Sequence, residues 1–358
     1  MSEIASDWPG RVRQGVAFAA RLPASHWAVR SGRALLPPQS VGFFLGPKCN
    51  LTCRHCAFYG EDRPVSFADY RRVVDELWAL GARELTLTGG EPTVIKGFPD
   101  YVAYAVDRGW TVGYATNGTT LAGRLLERLV AAGAQRVSVS LDGCEASHDL
   151  VRGPGTFRDA MAGLDNLLAA IDPARTQVRV NMVLMRHNLD DVLALHAETV
   201  RRRVWFNVMP FTAENLTHHQ PEGPDADFAL DDDATDRMAA LLPAWLEARA
   251  RYGWWLNPRR HLEDMLVFAR TGRSRRRCLV GAYQFNVDER LRVGFCIDAI
   301  GFVGDLTTQS AREIWTGAAA AAARRKVGEC RACVLNCYYT PTLWEAGTDL
   351  LPMMLRSR

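Results

Sequence analysis

From residue 41 onward, short apolar runs alternate with stretches whose apolar positions recur every three or four residues. Residues 41–45 read as a strand. Ser66 is placed to cap a helix whose Phe67, Val73, Val74, Leu77 and Leu80 line one face, and Gly81 stops it. Strand 84–88, helix 98–108, strand 111–115, helix 121–132, strand 136–141, helix 156–170, strand 177–185, helix 189–201 and strand 204–209 follow. Six strands with five intervening helices predict an α/β architecture. Its parallel sheet has right-handed crossovers and curls into a full or partial barrel. In such folds the chemistry gathers at the C-terminal ends of the strands. The unusual residues lie there: three Cys after the first strand, Gly89-Gly90-Glu91-Pro92 after the second, Thr116-Asn117-Gly118 after the third, and Ser140-Leu141-Asp142-Gly143 at the fourth.

Outside this repeat the pattern changes. Residues 1–40 form a separate segment, with Arg11, Arg13, Arg21, Arg30 and Arg33 facing no acid between Trp8 and Leu36. Val16, Phe18, Leu22, Trp27 and Val29 are interleaved, as in a helix packed on the main domain or a basic amphipathic contact with a membrane or an acidic partner. Residues 210–232 read as a polar loop and 232–252 as a helix. Residues 284–287 and 291–295 flank Asp288-Glu289-Arg290 as a hairpin, and short helices follow around 310–316 and 318–326. The chain therefore divides into residues 1–40, a barrel over 41–265 and a small α+β unit over 266–358.

Composition adds exclusions. With 358 residues, 48% apolar and a net charge of +3, the chain is an ordinary globular one without a general affinity for nucleic acid. No apolar run approaches the roughly 20 residues of a membrane span, and no signal peptide is visible, so a cytoplasmic location is expected. Disulfides are then not expected, and the nine Cys need another purpose. Three lie within 49–56, one at 144 and five within 278–337, and clustered Cys point to metal.

Cys49-x3-Cys53-x2-Cys56 places three thiolates on one loop, enough to hold three irons of a four-iron cluster and leave the fourth open to a small molecule. Structural zinc is the competing occupant, but it takes four ligands and this loop offers three. Followed by Gly-Gly-Glu at the next strand end, the triplet resembles the signature of the radical S-adenosylmethionine (SAM) superfamily. The likeness runs from residue 41 to about 340. That resemblance implies a partial (β/α)6 barrel and an enzyme that cleaves SAM reductively to a 5′-deoxyadenosyl radical, which then abstracts hydrogen from a substrate. It implies an electron donor of flavodoxin or ferredoxin type. His55 stands where the family usually has an aromatic residue, and Gly89, Gly90 and Glu91 match the motif that receives the SAM amino group. Thr116, Asn117, Ser140, Asn181, Arg152 and Met209 are candidate SAM contacts, with Arg152 for the carboxylate. Asp142 is either such a contact or a turn or helix cap.

The second Cys group, Cys278-x17-Cys296-x33-Cys330-x2-Cys333-x3-Cys337, suits iron–sulfur or zinc. Its layout resembles the twitch extension, a shortened relative of the SPASM domain, and implies an auxiliary four-iron cluster. Cys278, Cys296, Cys330 and Cys333 best match that spacing, with Cys337 as a substitute for one of them. Cys144, Cys333 and Cys337 are candidate hydrogen-atom donors to a substrate radical. The forty residues ahead of the first strand are fewer than a peptide-recognition domain needs, which favours a small natural product of sugar or aminocyclitol type. Its reaction would be dehydrogenation or epimerisation. A peptide maturase, a lipid-modifying enzyme and a non-catalytic iron–sulfur or zinc module are the alternatives.

Overall fold

A computed structural model of the chain describes residues 8–56, 58, 64–212, 226–296 and 300–335, with the side chains of the first helix described from residue 20. Six parallel strands form the framework: β1 (Ser40–Phe44), β2 (Glu84–Thr88), β3 (Thr111–Thr116), β4 (Arg136–Ser140), β5 (Gln177–Leu184) and β6 (Trp205–Pro210). They are neighbours in chain order, each parallel to the next. Helix α1 (Trp8–Ser31) precedes them. Between them run α2 (Phe67–Leu80), α3 (Phe98–Asp107), α4 (Gly123–Ala131), α5 (Glu145–Arg152), α6 (Thr156–Ala170) and α7 (Val192–Arg202).

Local chemistry explains the boundaries. Ser66 caps α2 by accepting the Asp69 N–H at 3.0 Å, and Gly81 ends it in a left-handed conformation (φ 117°) that a side chain would strain. Along β5 burial alternates strictly. Val178, Val180, Met182 and Leu184 are buried in the core, while Asn181 and Val183 face the other way and are only half covered.

After α8 (Asp232–Tyr252) and α9 (Arg259–Thr271) the chain returns to the same sheet. Strand β7 (Gln284–Val287) pairs in parallel with β1, and β8 (Arg292–Gly294) and β9 (Phe302–Asp305) extend the sheet antiparallel. The order is β6-β5-β4-β3-β2-β1-β7-β8-β9, so β1 is an inner strand of one nine-stranded sheet. Helices α10 (Ala311–Thr316) and α11 (Ala318–Glu329) close the described chain.

One core cluster runs from Leu22 to Val334. The division expected at residue 265 falls inside α9, and both the sheet and the core continue past it. The hairpin at 284–295 is present as β7–β8. The N-terminal segment is a helix docked on α11: Leu22, Ala28 and Val29 are buried, and a Cβ on Gly328 would meet the Val29 carbonyl at 2.8 Å. Arg324 of α11 is also buried, donating to the Gly281 carbonyl at 2.9 Å and the Trp315 carbonyl at 2.7 Å.

Candidate active site and cysteine centres

The loop after β1 carries Cys49, Cys53 and Cys56 and is clasped from three sides. Leu45 N–H donates to the Thr88 carbonyl at 2.8 Å, Gly90 N–H to the Gly46 carbonyl at 2.8 Å and Glu91 N–H to the Lys48 carbonyl at 2.8 Å. A Cβ on Gly89 would lie 2.4 Å from the Gly46 carbonyl oxygen, and one on Gly90 2.4 Å from those of Pro47 and Lys48. The two glycines therefore let the end of β2 lie against the cysteine loop backbone. On the second side, Asn50 donates to Thr119 Oγ1 and accepts from Asn117 Nδ2, each at 2.9 Å. On the third, Arg54 N–H donates to the Val151 carbonyl of α5 at 2.9 Å. Backbone N–H groups of Leu51 and Phe58 donate to the Cys49 and Cys56 sulfurs at 3.4 Å, as suits thiolate ligands.

Glu91 is buried with both carboxylate oxygens engaged. Oε1 accepts from Thr93 N (3.1 Å), Thr93 Oγ1 (2.6 Å) and Thr116 Oγ1 (2.8 Å), and Oε2 accepts from Asn117 N at 2.5 Å. Burial raises its pKa, and the donors from Asn117, Thr93 and Thr116 oppose that shift. Thr116, Asn117 and Glu91 thus form one unit that ties the ends of β2 and β3 to the loop.

A second buried group lies on the α5 side. Asp142 Oδ2 accepts from Arg152 Nε at 2.6 Å, and Oδ1 accepts from Val183 N at 2.9 Å. His55 Nε2 stands 3.6 Å from the same carboxylate. Burial alone would raise the Asp142 pKa, but Arg152, His55 and the Val183 N–H bring it down to about 2. Burial alone would lower that of Arg152, but Asp142 and the Cys53 thiol hold it above its ordinary value. Asp142 is therefore an ion-pair partner. It is no helix cap, since Cys144 occupies the cap position of α5 without a side-chain bond.

His148 Nδ1 accepts the Asp142 N–H at 3.1 Å, so its proton sits on Nε2, which is buried without a partner. His55 Nδ1 and His187 Nδ1 are likewise buried and unpartnered. Burial lowers the pKa of His55 and of His148 to about 4 each. On the same side of β5, Asn181 Oδ1 accepts from Asn207 Nδ2 of β6 at 3.0 Å, with Ser140 and Met209 half-buried nearby in register. Asn50 and Asn207 were not singled out from the sequence. Asn50 alone carried a signal, by lying between two loop cysteines.

The C-terminal thiols come from separate segments. Cys278 precedes the turn into β7, Cys296 follows β8, Cys330 caps α11 and Cys333 lies three residues on. Burial pushes the Cys278 pKa up to about 12, and Cys333, Cys296 and Cys330 add to the shift, which places the four in one electrostatic neighbourhood. Cys337 lies outside the described residues. Cys144 stands at the start of α5. Its backbone N–H donates to Asp191 Oδ2 at 3.0 Å, and burial and Asp191 push its thiol up to about 11.

Residues 43–198 match the Radical SAM superfamily. That stretch of the chain is a radical SAM domain. It is 34% identical over 161 residues to an AdoMet-dependent heme synthase of Methanosarcina barkeri, covering 43% of this chain and 45% of that one. It is 32% identical over 211 residues to the mycofactocin maturase MftC of Mycobacterium ulcerans, covering 56% of this chain and 53% of that one. The chain spans about half the length of the curated relatives it matches. Among solved structures, Streptococcus suis SuiB bound to S-adenosylmethionine has the same fold, with a TM-score of 0.63 at 12% identity over 82% of this chain and 68% of that one. The anSMEcpe structure with bound AdoMet has a TM-score of 0.61 at 15% identity over 85% and 84%.

Radical SAM proteins take SAM and a four-iron cluster, and the residues present fit both. Three thiols on one loop leave one iron open, and the unpartnered nitrogens of His55 and His148 lie buried beside that loop. Among the described residues no three His, Cys, Asp or Glu side chains meet closely enough for a single bare ion, so the fit rests on the chemistry of the donors. No helix among the described residues is long and apolar enough to cross a membrane.

Proposed function

We propose that this radical SAM enzyme oxidises a peptide, with Cys49, Cys53 and Cys56 holding the cluster that cleaves SAM. Cys278, Cys296, Cys330 and Cys333 hold an auxiliary four-iron cluster in a twitch-like extension. Bound together, SAM and the reduced cluster supply an adenosyl radical able to take hydrogen from carbon. The chain's residues orient and shield it. Asp142 uses the Nε edge of Arg152 and so fixes the guanidinium, whose terminal nitrogens suit the SAM carboxylate. Glu91 and the Gly89-Gly90 backbone set the strand end that meets the SAM amino group. Thr116 and Asn117 hold that end in place, and Ser140, Asn181 and Met209 line the concave side where the rest of SAM would lie. An electron donor of flavodoxin or ferredoxin type completes the reaction.

The observation that carries the substrate class is the likeness to a mycofactocin maturase over more than half of this chain. A structure of SuiB bound to its precursor peptide SuiA shares the fold, with a TM-score of 0.62. The names of the maturase and heme synthase relatives point away from the sugar or aminocyclitol substrate expected from the sequence. The auxiliary cluster would accept the electron released when the substrate radical loses a proton. In an epimerisation, Cys144 or Cys337 would instead return a hydrogen atom, and the raised pKa keeps Cys144 in the S–H form that this needs.

The test is anaerobic incubation of reconstituted enzyme with SAM, reductant and short peptides encoded near its gene. A peptide lighter by two hydrogens supports the proposal. Turnover of a tetrapyrrole or an aminocyclitol, with every peptide untouched, refutes it.

A further inference from the structure

The net charge of the whole chain is only +3, yet a dense run of arginines stands directly before the first C-terminal thiol. Arg273, Arg275 and Arg277 fall within the five residues ahead of Cys278, and Arg331 follows Cys330. The fold brings these segments onto one face with the end of α1. Arg277 Nη1 donates to the Gly328 carbonyl of α11 at 3.0 Å, Ser274 N–H to the Arg331 carbonyl at 2.8 Å, and Arg325 Nη1 to the Ser31 carbonyl at 3.5 Å. His26 of α1 lies within the field of both Arg30 and Arg277. Arg30, Arg273, Arg275, Arg325 and Lys326 are exposed. Against them stands Asp264, which is buried and held by Arg276 at 2.7 Å and Arg275 at 3.9 Å, and the exposed Glu329. Among the described residues no carboxylate pairs with Arg30, Arg273, Arg325 or Arg331. The half-buried Cys278, Cys330 and Cys333 sit within this face.

We infer that this face is the docking surface for an acidic one-electron carrier protein, placed over the auxiliary thiols. A concentrated positive surface steers a negatively charged partner and fixes its orientation. SAM cleavage needs one electron at a time, and a flavodoxin supplies it as its flavin passes from hydroquinone to semiquinone. That electron goes into one sulfonium, giving methionine and one adenosyl radical. A membrane surface fits less well. A helix lying on lipid turns its apolar side outward, whereas among the described side chains of α1 Leu22, Ala28 and Val29 turn into the core and Trp27, 42% exposed, is the one large apolar residue left outside.

The inference rests on the auxiliary-cluster reading for its purpose but not for its measurement. Oxidised flavodoxin transfers no electron, so its binding to the full chain reports the surface alone, and iron content reports the cluster separately. Binding should weaken steeply with salt. The triple variant R273E/R325E/K326E should lose at least about tenfold in affinity, and R273Q/R325Q/K326Q should fall between it and the parent. In both variants dithionite-driven SAM cleavage and iron content should match the parent, which also shows that they fold. Unchanged flavodoxin affinity in the glutamate variant overturns the inference. So does selective binding of phosphatidylglycerol vesicles through the same arginines with no flavodoxin bound. If iron is absent from the auxiliary site while flavodoxin binding follows the charges, the proposed function fails and the docking surface stands.

Discussion

Cys49, Cys53 and Cys56 lie on one loop whose backbone is bonded to the ends of β2 and β3 and to α5. Cys278, Cys296 and the pair Cys330 and Cys333 come from three separate segments, and the last three all act on the Cys278 thiol electrostatically. The first centre is fixed by local bonds at a row of strand ends. The second depends on the global fold around it, is half-buried at Cys278, Cys330 and Cys333, and has Arg277 and Arg331 beside it in the chain. A loop that must hold a reactive cofactor in one orientation gains from the first design. A site that exchanges electrons with another protein gains from the second.

The largest expected contrast is between two glycines. A Cβ at Gly90 meets backbone oxygens at 2.4 Å, while one at Gly281 meets the Arg324 Cγ at 3.2 Å and a Phe295 ring carbon at 3.3 Å, tight contacts that a few tenths of an ångström relieve. Gly90→Ala should lose about half of the iron, if each site takes one four-iron cluster, and abolish SAM cleavage. Gly281→Ala should keep both. Iron assay and 5′-deoxyadenosine release decide it, and equal damage in the two variants would erase the contrast.

Next come the thiols themselves. Cys49→Ala with Cys53→Ala should stop SAM cleavage altogether. With dithionite as the reductant, Cys278→Ala with Cys296→Ala should leave SAM cleavage running while modified product disappears. Loss of both activities in the second variant would mean that the two centres are not separable. Arg152→Gln should weaken SAM binding by about ten- to a hundredfold, the equivalent of ~1.5–3 kcal/mol for a charge-assisted contact. Its readout is equilibrium SAM binding to the oxidised protein, and parent affinity would remove Arg152 from the site.

The framework of the first centre was legible in the sequence and the second only partly. Strand 84–88 coincides with β2, and the six-strand order follows from alternation and short connections. Helix α5 escaped because it is short and polar: of its residues only His148 and Val151 are buried, and Leu150 is exposed, so no apolar period marks it. The sequence left Asp142 between a SAM contact and a turn or helix cap because its partner Arg152 is ten positions away, on an element that the pattern did not show. The parallel pairing of β1 with β7 joins residues some 240 positions apart through strands of five and four residues. No local pattern records such a pairing, and a separate C-terminal unit was the natural expectation.

A smaller effect concerns pH. His148 has a folded pKa of about 4, below its ordinary 6.5. Above pH 6.5 it is neutral in both states and contributes no slope. Below that the unfolded chain takes a proton that the folded chain refuses, so stability falls until the folded pKa is reached. The melting temperature should drop between pH 6.5 and about 4, and His148→Gln should flatten the drop. The smallest effect is expected at Cys144. If the reaction is an oxidation, Cys144→Ala should leave product formation within about twofold of the parent, as surface changes away from reacting groups usually do. A trapped substrate radical in that variant would instead identify an epimerase.

The place of β1 has a practical consequence for anyone dividing this protein. With β2 on one flank and β7 on the other, both rows of its backbone groups are spent inside the sheet. Cutting the chain after residue 265 would strip one flank and leave Val41, Phe43 and their neighbours as a bare template for pairing with other chains. An excised barrel should therefore collect in inclusion bodies, however intact its cysteine loop, and the shortest soluble piece should be one that retains β7.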